Sequence, residues 1–120
     1  MTLVEPQLRR VKFLTEVVAE LGLGNVEICR SRAEDCAKKL SGDVVTARAV
    51  APLERLLSWC LPLVCSGGRL LAIKGESAQT ELHAARQTLR KHRIRQARIF
   101  QCGAEYLNPP VTVIEVTKAP

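Results

Sequence analysis

The amino-acid sequence predicts an α/β fold: a doubly wound, mostly parallel sheet with helices on both faces and an antiparallel hairpin at its C-terminal edge. Three observations predict it. Short β-branched or aliphatic runs alternate with longer runs of helical period, the pattern of a parallel sheet. The last two strands have no helix between them, which pairs them antiparallel. The chain has 120 residues, 47% apolar and 25% charged, enough for one compact domain with an ordinary core.

The elements follow in order. Thr2-Leu3-Val4 is a β-prone run ending at Glu5, and Pro6 suits the first turn of a helix. Apolar residues at Leu8, Val11, Phe13-Leu14, Val17-Val18 and Leu21 keep helical spacing until Gly22 and Gly24 stop it. Val26–Cys29 is a short strand, and Ala33–Leu40 a short helix broken by Ser41-Gly42. Asp43–Ala47 is β-branched, and Pro52 opens a helix running to about Leu63. Gly67-Gly68 reads as a turn before a buried strand over Arg69–Ile73. Ser77 precedes a helix over Ala78–Lys91; Arg95–Gln101 is a strand, 102–110 a loop and Val111–Val116 the last strand.

Aromatic residues are only 3% of the chain, so the core is aliphatic. The net charge is +6, which suits an anionic partner such as nucleic acid or simply a well-solvated surface. The excess is uneven: residues 1–60 carry nine Lys/Arg against eight Asp/Glu, residues 61–120 nine against four. The five cysteines are odd in number and none has C-x-x-C spacing, which suggests neither disulfides nor zinc and points to a reducing cytoplasm. His83 and His92 lie in no ligand-spaced cluster, so no metal is expected. No signal peptide and no apolar run of membrane-spanning length is visible.

Open α/β sheets bind ligands outside the carboxyl ends of their strands. Glu5 can there accept hydrogen bonds from ribose hydroxyls, or stabilise a helix N-terminus. Ala33-Glu34 can bring backbone close to an adenine edge, or simply begin a helix. Arg48, set between alanines in Thr46-Ala47-Arg48-Ala49-Val50-Ala51, can reach a phosphate or a carboxylate, or pair on the surface. Lys74, before Gly75, can touch the same groups or stay solvated. Arg86, Arg90, Lys91, Arg93, Arg95 and Arg98 form a run without an acid, fit for RNA phosphates or for a charged edge strand. Tyr106 can stack on a base or pack on the core. No G-x-G-x-x-G, phosphate-binding lysine loop, serine elbow or Cys/His couple is present, so hydrolysis and metal chemistry find no support.

Four segments in this order resemble the glucose-inhibited division protein B family: Leu3-Val4-Glu5-Pro6 with Arg9–Leu14, Ser31-Arg32-Ala33-Glu34, Thr46–Ala51, and Gly68–Glu76. The tail Cys102–Pro110 is similar to actinobacterial members. The resemblance implies a Rossmann-like class I methyltransferase fold, S-adenosylmethionine as cofactor, and methylation of guanine N7 in small-subunit (16S) ribosomal RNA. It implies cofactor contacts at Glu5, Ala33, Glu34 and Arg48, and places Lys74 near the active face. Lys74, Arg90, Arg93, Arg95, Arg98 and Tyr106 are the residues expected at the RNA; no general acid or base is assigned.

The pattern departs from the family at its start, where the first strand and the glycine-rich loop are missing. The chain is therefore expected to be the C-terminal part of one methyltransferase domain, 1–120. Loss of a strand between the second and fourth would leave both neighbours with open edges. The alternative function is a non-catalytic remnant or an RNA-binding α/β domain. A monomer is expected, without membrane or metal.

Overall fold

In the computed structural model, Thr2-Leu3-Val4 forms β1 (Thr2–Val4) and Glu27-Ile28-Cys29 forms β2 (Glu27–Cys29), parallel and in register Thr2↔Glu27 to Val4↔Cys29. Residues 1–48 and 51–120 are described, and they divide into two compact units, Met1–Leu40 and Ser41–Pro120. In the first unit helix α1 (Leu8–Glu20) connects the two strands, a βαβ crossover. Gly22 ends α1 in the left-handed region at φ +64°, its N–H donating to the Ala19 carbonyl at 3.2 Å. Helix α2 is one turn, Ala33–Cys36, shorter than the sequence suggests. Cys36 is the only buried residue of this unit.

The second unit is a four-stranded sheet in the order β3-β4-β6-β5. Here β3 is Gly42–Arg48, β4 Val64–Lys74, β5 Ile94–Cys102 and β6 Val111–Lys118. β3 and β4 are parallel; β6 is antiparallel to both β4 and β5. The expected C-terminal hairpin is present, with β6 inserted between β4 and β5. β1 pairs only with β2 and β3 only with β4, so each of β1 and β3 has one unpaired edge among the described residues.

Helix α3 (Leu53–Cys60) buries Leu53, Leu56, Leu57 and Cys60, the i, i+3, i+4, i+7 stripe of an amphipathic helix. They meet Leu70 and Ala72 of β4 and Ile114 and Val116 of β6 in one aliphatic cluster. A 3-10 turn, Leu61–Leu63, follows α3, and the Lys118 ammonium donates to the carbonyls of its first residue, Leu61, and of Val64 just after it.

Two expectations change. Gly67-Gly68 is not a turn before β4 but part of it, and β4 starts at Val64. A Cβ at Gly68 would lie 2.7 Å from the Asp43 carbonyl oxygen, so glycine there permits close backbone approach of β4 to β3. The single helix expected over Ala78–Lys91 is two, α4 (Ala78–Ala84) and α5 (Arg86–Lys91), separated at the fully buried Ala85. The backbone there flattens to φ −85°, ψ 0°, out of the α-helical minimum.

Candidate cofactor and RNA site

In the first unit the carboxyl ends of β1 and β2 leave the same edge. Their two turns are joined there: the Glu5 N–H donates to the Cys29 carbonyl at 3.0 Å, and the Ser31 N–H to the Glu5 carbonyl at 3.2 Å. The Glu5 side chain is 18% exposed. Its Oε1 accepts the Gln7 N–H at 3.2 Å and faces the Arg10 guanidinium at 3.8 Å. The acid therefore does support the start of α1. Its Oε2 has no partner among the described residues, which leaves an acceptor for a ligand.

Ala33 and Glu34 begin α2, and their N–H groups have no acceptor among the described residues, as first-turn donors generally lack one. The Cys29 and Cys36 thiols meet at 3.3 Å across this turn and hold its two ends together. The hydrogen bond with Cys36 raises the Cys29 pKa above its ordinary value, with burial adding to the effect.

In the second unit the parallel pairing of β3 and β4 places Arg48 opposite Ile73, so Arg48 and Lys74 end at one edge. Arg48 is exposed and its guanidinium has no partner among the described residues. Ala49 and Val50 of the same motif lie outside the described residues. Lys74 departs from both readings of the sequence: it neither reaches outward for RNA nor stays solvated. Its side chain is 3% exposed, and its ammonium donates to the Ala51 carbonyl and to Glu81 Oε1, each at 2.7 Å. Burial pushes the Glu81 pKa up, but hydrogen bonds from Lys74, Ser77 and the Leu53 N–H outweigh it and hold the carboxyl below its ordinary value. An open pocket of about 680 Å³ lies at this edge, lined by Ile73, Ile99, Pro109 and Val111 together with Glu76, Gln79 and Gln101.

The basic run does not gather at that edge. Across the ladder Lys74 is level with Thr112 and Gln101, whereas Arg69 is level with Thr117 and Gln96. Arg95 thus sits at the other end of β5, roughly 20 Å away at strand rise. There a cleft of about 460 Å³ is lined by Arg86, Arg90, His92 and Arg95. Arg86, Arg90, Arg93 and Arg95 are exposed, and none has an ion-pair partner among the described residues. Arg98 differs: its Nε donates to Glu115 Oε1 at 2.7 Å, and its guanidinium lies 5.2 Å from the Phe100 ring. Arg69 reaches the other carboxylate oxygen at 3.1 Å, so Glu115 holds both arginines on the sheet while the Arg98 side chain stays 55% exposed. Tyr106 is 87% exposed in the loop joining β5 to β6, at the Arg48 end of the second unit, and does not pack on the core.

Sequence reasoning missed Glu81, Glu115 and the Cys29–Cys36 contact. Among the described residues no group of three or more His, Cys, Asp or Glu could hold a metal, and no helix is long and apolar enough to cross a membrane.

Parallel strands with acid, small-residue turn and arginine at their carboxyl ends, followed by a C-terminal antiparallel pair, define a class I methyltransferase fold. The structure is similar to a SAM-dependent O-methyltransferase from Thermotoga maritima, with a TM-score of 0.72 at 14% identity, over 99% of this chain and 49% of that one. More specifically, the chain belongs to the GidB family, described as rRNA small subunit methyltransferase G, which matches residues 1–109. It is 50% identical to the ribosomal RNA small subunit methyltransferase G of Thermobifida fusca over 97% of its length, and 48% identical to that of Salinispora tropica over 98%. The chain spans about half the length of these relatives, 49% and 51%.

Proposed function

We propose that this chain serves S-adenosylmethionine-dependent methylation of guanine N7 in small-subunit ribosomal RNA. The observation that carries the reading is the placement of Glu5, Ala33 and Glu34 at the carboxyl edge of one parallel pair and of Arg48 at the carboxyl edge of the other. Family membership supplies the chemistry. Bound S-adenosylmethionine supplies an electrophilic methyl group. The chain's residues fit its nucleoside end: Glu5 Oε2 is a free acceptor for ribose hydroxyls, and the unpaired N–H groups of Ala33 and Glu34 can donate to the adenine edge. Arg48 serves the methionine carboxylate or the RNA through its free guanidinium.

Guanine N7 presents a lone pair and carries no proton. The residues therefore need to orient the base and exclude water rather than remove a proton. The open pocket at the Lys74 edge offers Ile73, Ile99, Pro109 and Val111 to the faces of a purine and Gln79, Gln101 and Glu76 to its polar edge. Arg90, Arg93 and Arg95 hold phosphates at the far end of β5, and Tyr106 stacks on a base at the near end, so the RNA runs along this edge strand. Lys74 acts from inside the fold, and Arg98, although exposed, is tied to Glu115.

The test is methyl transfer from tritiated S-adenosylmethionine to small-subunit ribosomal RNA, followed by nucleoside analysis. The expected product is labelled 7-methylguanosine. A folded chain that retains RNA through its arginines but transfers no label supports the non-catalytic RNA-binding reading instead.

A further inference from the structure

Glu81 carries no role in the reading above, yet it joins three separate pieces of the fold. Its Oε1 accepts the Lys74 ammonium at 2.7 Å and the Leu53 N–H at 3.0 Å; its Oε2 accepts the Ser77 hydroxyl at 2.8 Å. Lys74 in turn holds the Ala51 carbonyl at 2.7 Å. One carboxylate thereby links the end of β4, the start of α4 and the connection from β3 to α3. That connection begins immediately after Arg48.

Arg48 is fixed on its N-terminal side by the ladder, where it pairs with Ile73. On its C-terminal side the anchors among the described residues are Ala51, held by Lys74, and Leu53, held by Glu81. The Lys74 ammonium is buried while the Glu81 side chain keeps 20% exposure, and a charge pair of this kind is weak evidence of a gain in stability. Its ties to Ala51 and Leu53, shortly after Arg48 in the chain, point to a use other than stability.

We propose that Glu81, acting through Lys74 and the Leu53 N–H, is a positioning residue that fixes the backbone carrying Arg48 for cofactor and substrate. The inference rests on the functional reading of Arg48 given above. Glu81 touches neither cofactor nor RNA; it sets where the arginine stands.

The test uses the whole chain with two variants, Glu81→Gln and the apolar pair Lys74→Met with Glu81→Leu. Thermal melts, amide hydrogen exchange and calorimetric titration with S-adenosylmethionine are measured on each. The apolar pair is expected to fold with a melting temperature near that of the unaltered chain. In the apolar pair the Leu53 amide loses at least tenfold in protection while β6 amides keep theirs, and in Glu81→Gln, which keeps an acceptor oxygen, the loss is smaller. Arg48→Ala weakens S-adenosylmethionine binding about tenfold in the unaltered chain, and less than twofold when added to the apolar pair. Additive losses, an unchanged Leu53 amide, or failure of the apolar pair to fold would each overturn the positioning role. A folded unaltered chain that binds no S-adenosylmethionine contradicts the cofactor reading instead, and the exchange measurement then decides for or against the positioning of the connection.

Discussion

Lys74 and Arg48 end neighbouring strands one register step apart, yet one points inward and the other is free. The strand-end rule located both from the sequence, because it depends only on where strands stop. It did not give the direction of the side chain, which follows from strand parity. Leu70, Ala72 and Lys74 share one face of β4, and the first two are fully buried. Glu81 was not singled out, although Ala78 and Leu82 mark the inner stripe of α4 and Glu81 lies beside it. Glu115 was harder to read, since its partners Arg69 and Arg98 come from two other strands and depend on register. The hydrogen bond from Arg98 holds the Glu115 carboxyl below its ordinary value of 4.5, against the opposing effect of burial. A carboxyl lowered in the fold contributes stability above its unfolded pKa and loses it as pH falls through the folded one. Acid unfolding followed by Trp59 fluorescence should therefore show stability falling below about pH 4.5, with a shallower slope in Glu115→Gln.

Among the elements, β4 departs most from the sequence pattern. Gly67-Gly68 has the composition of a turn, and Gly67 does adopt a positive φ of 78°, but the strand continues through both. The close approach of Gly68 to the Asp43 and Cys65 carbonyl oxygens, at 2.7 and 3.0 Å from a Cβ, could not be foreseen without the β3–β4 pairing. Those contacts are backbone atoms that cannot swing aside. Gly68→Ala should cost about 1–3 kcal/mol in urea unfolding. Gly24→Ala, with nothing within 4 Å of its added carbon, should stay within about 0.5 kcal/mol. Helices α1 and α3 were legible from apolar spacing and glycine or proline punctuation. The break at Ala85 carried no such mark, since alanine favours a continuous helix.

For the whole molecule, the order of strands and helices and the closing antiparallel pair were legible. The uneven distribution of the core was not. The main cluster of buried side chains belongs to Ser41–Pro120, while Met1–Leu40 buries only Cys36. A unit of that size buries too little apolar surface for much stability of its own. Amides of β1 and β2 should accordingly exchange through openings of lower free energy than those of β4 and β6, a difference native-state hydrogen exchange reads directly.

The reading of the chain as the bearer of a nucleoside-binding edge and a free arginine is tested most directly by calorimetric titration of the chain, Glu5→Ala and Arg48→Ala with S-adenosylmethionine. Circular dichroism confirms the fold of each. Saturable one-to-one binding by the unaltered chain, weakened at least tenfold in both variants while their folds persist, is the expected result. A folded chain that binds nothing, or that binds equally well without Glu5 and Arg48, would contradict it.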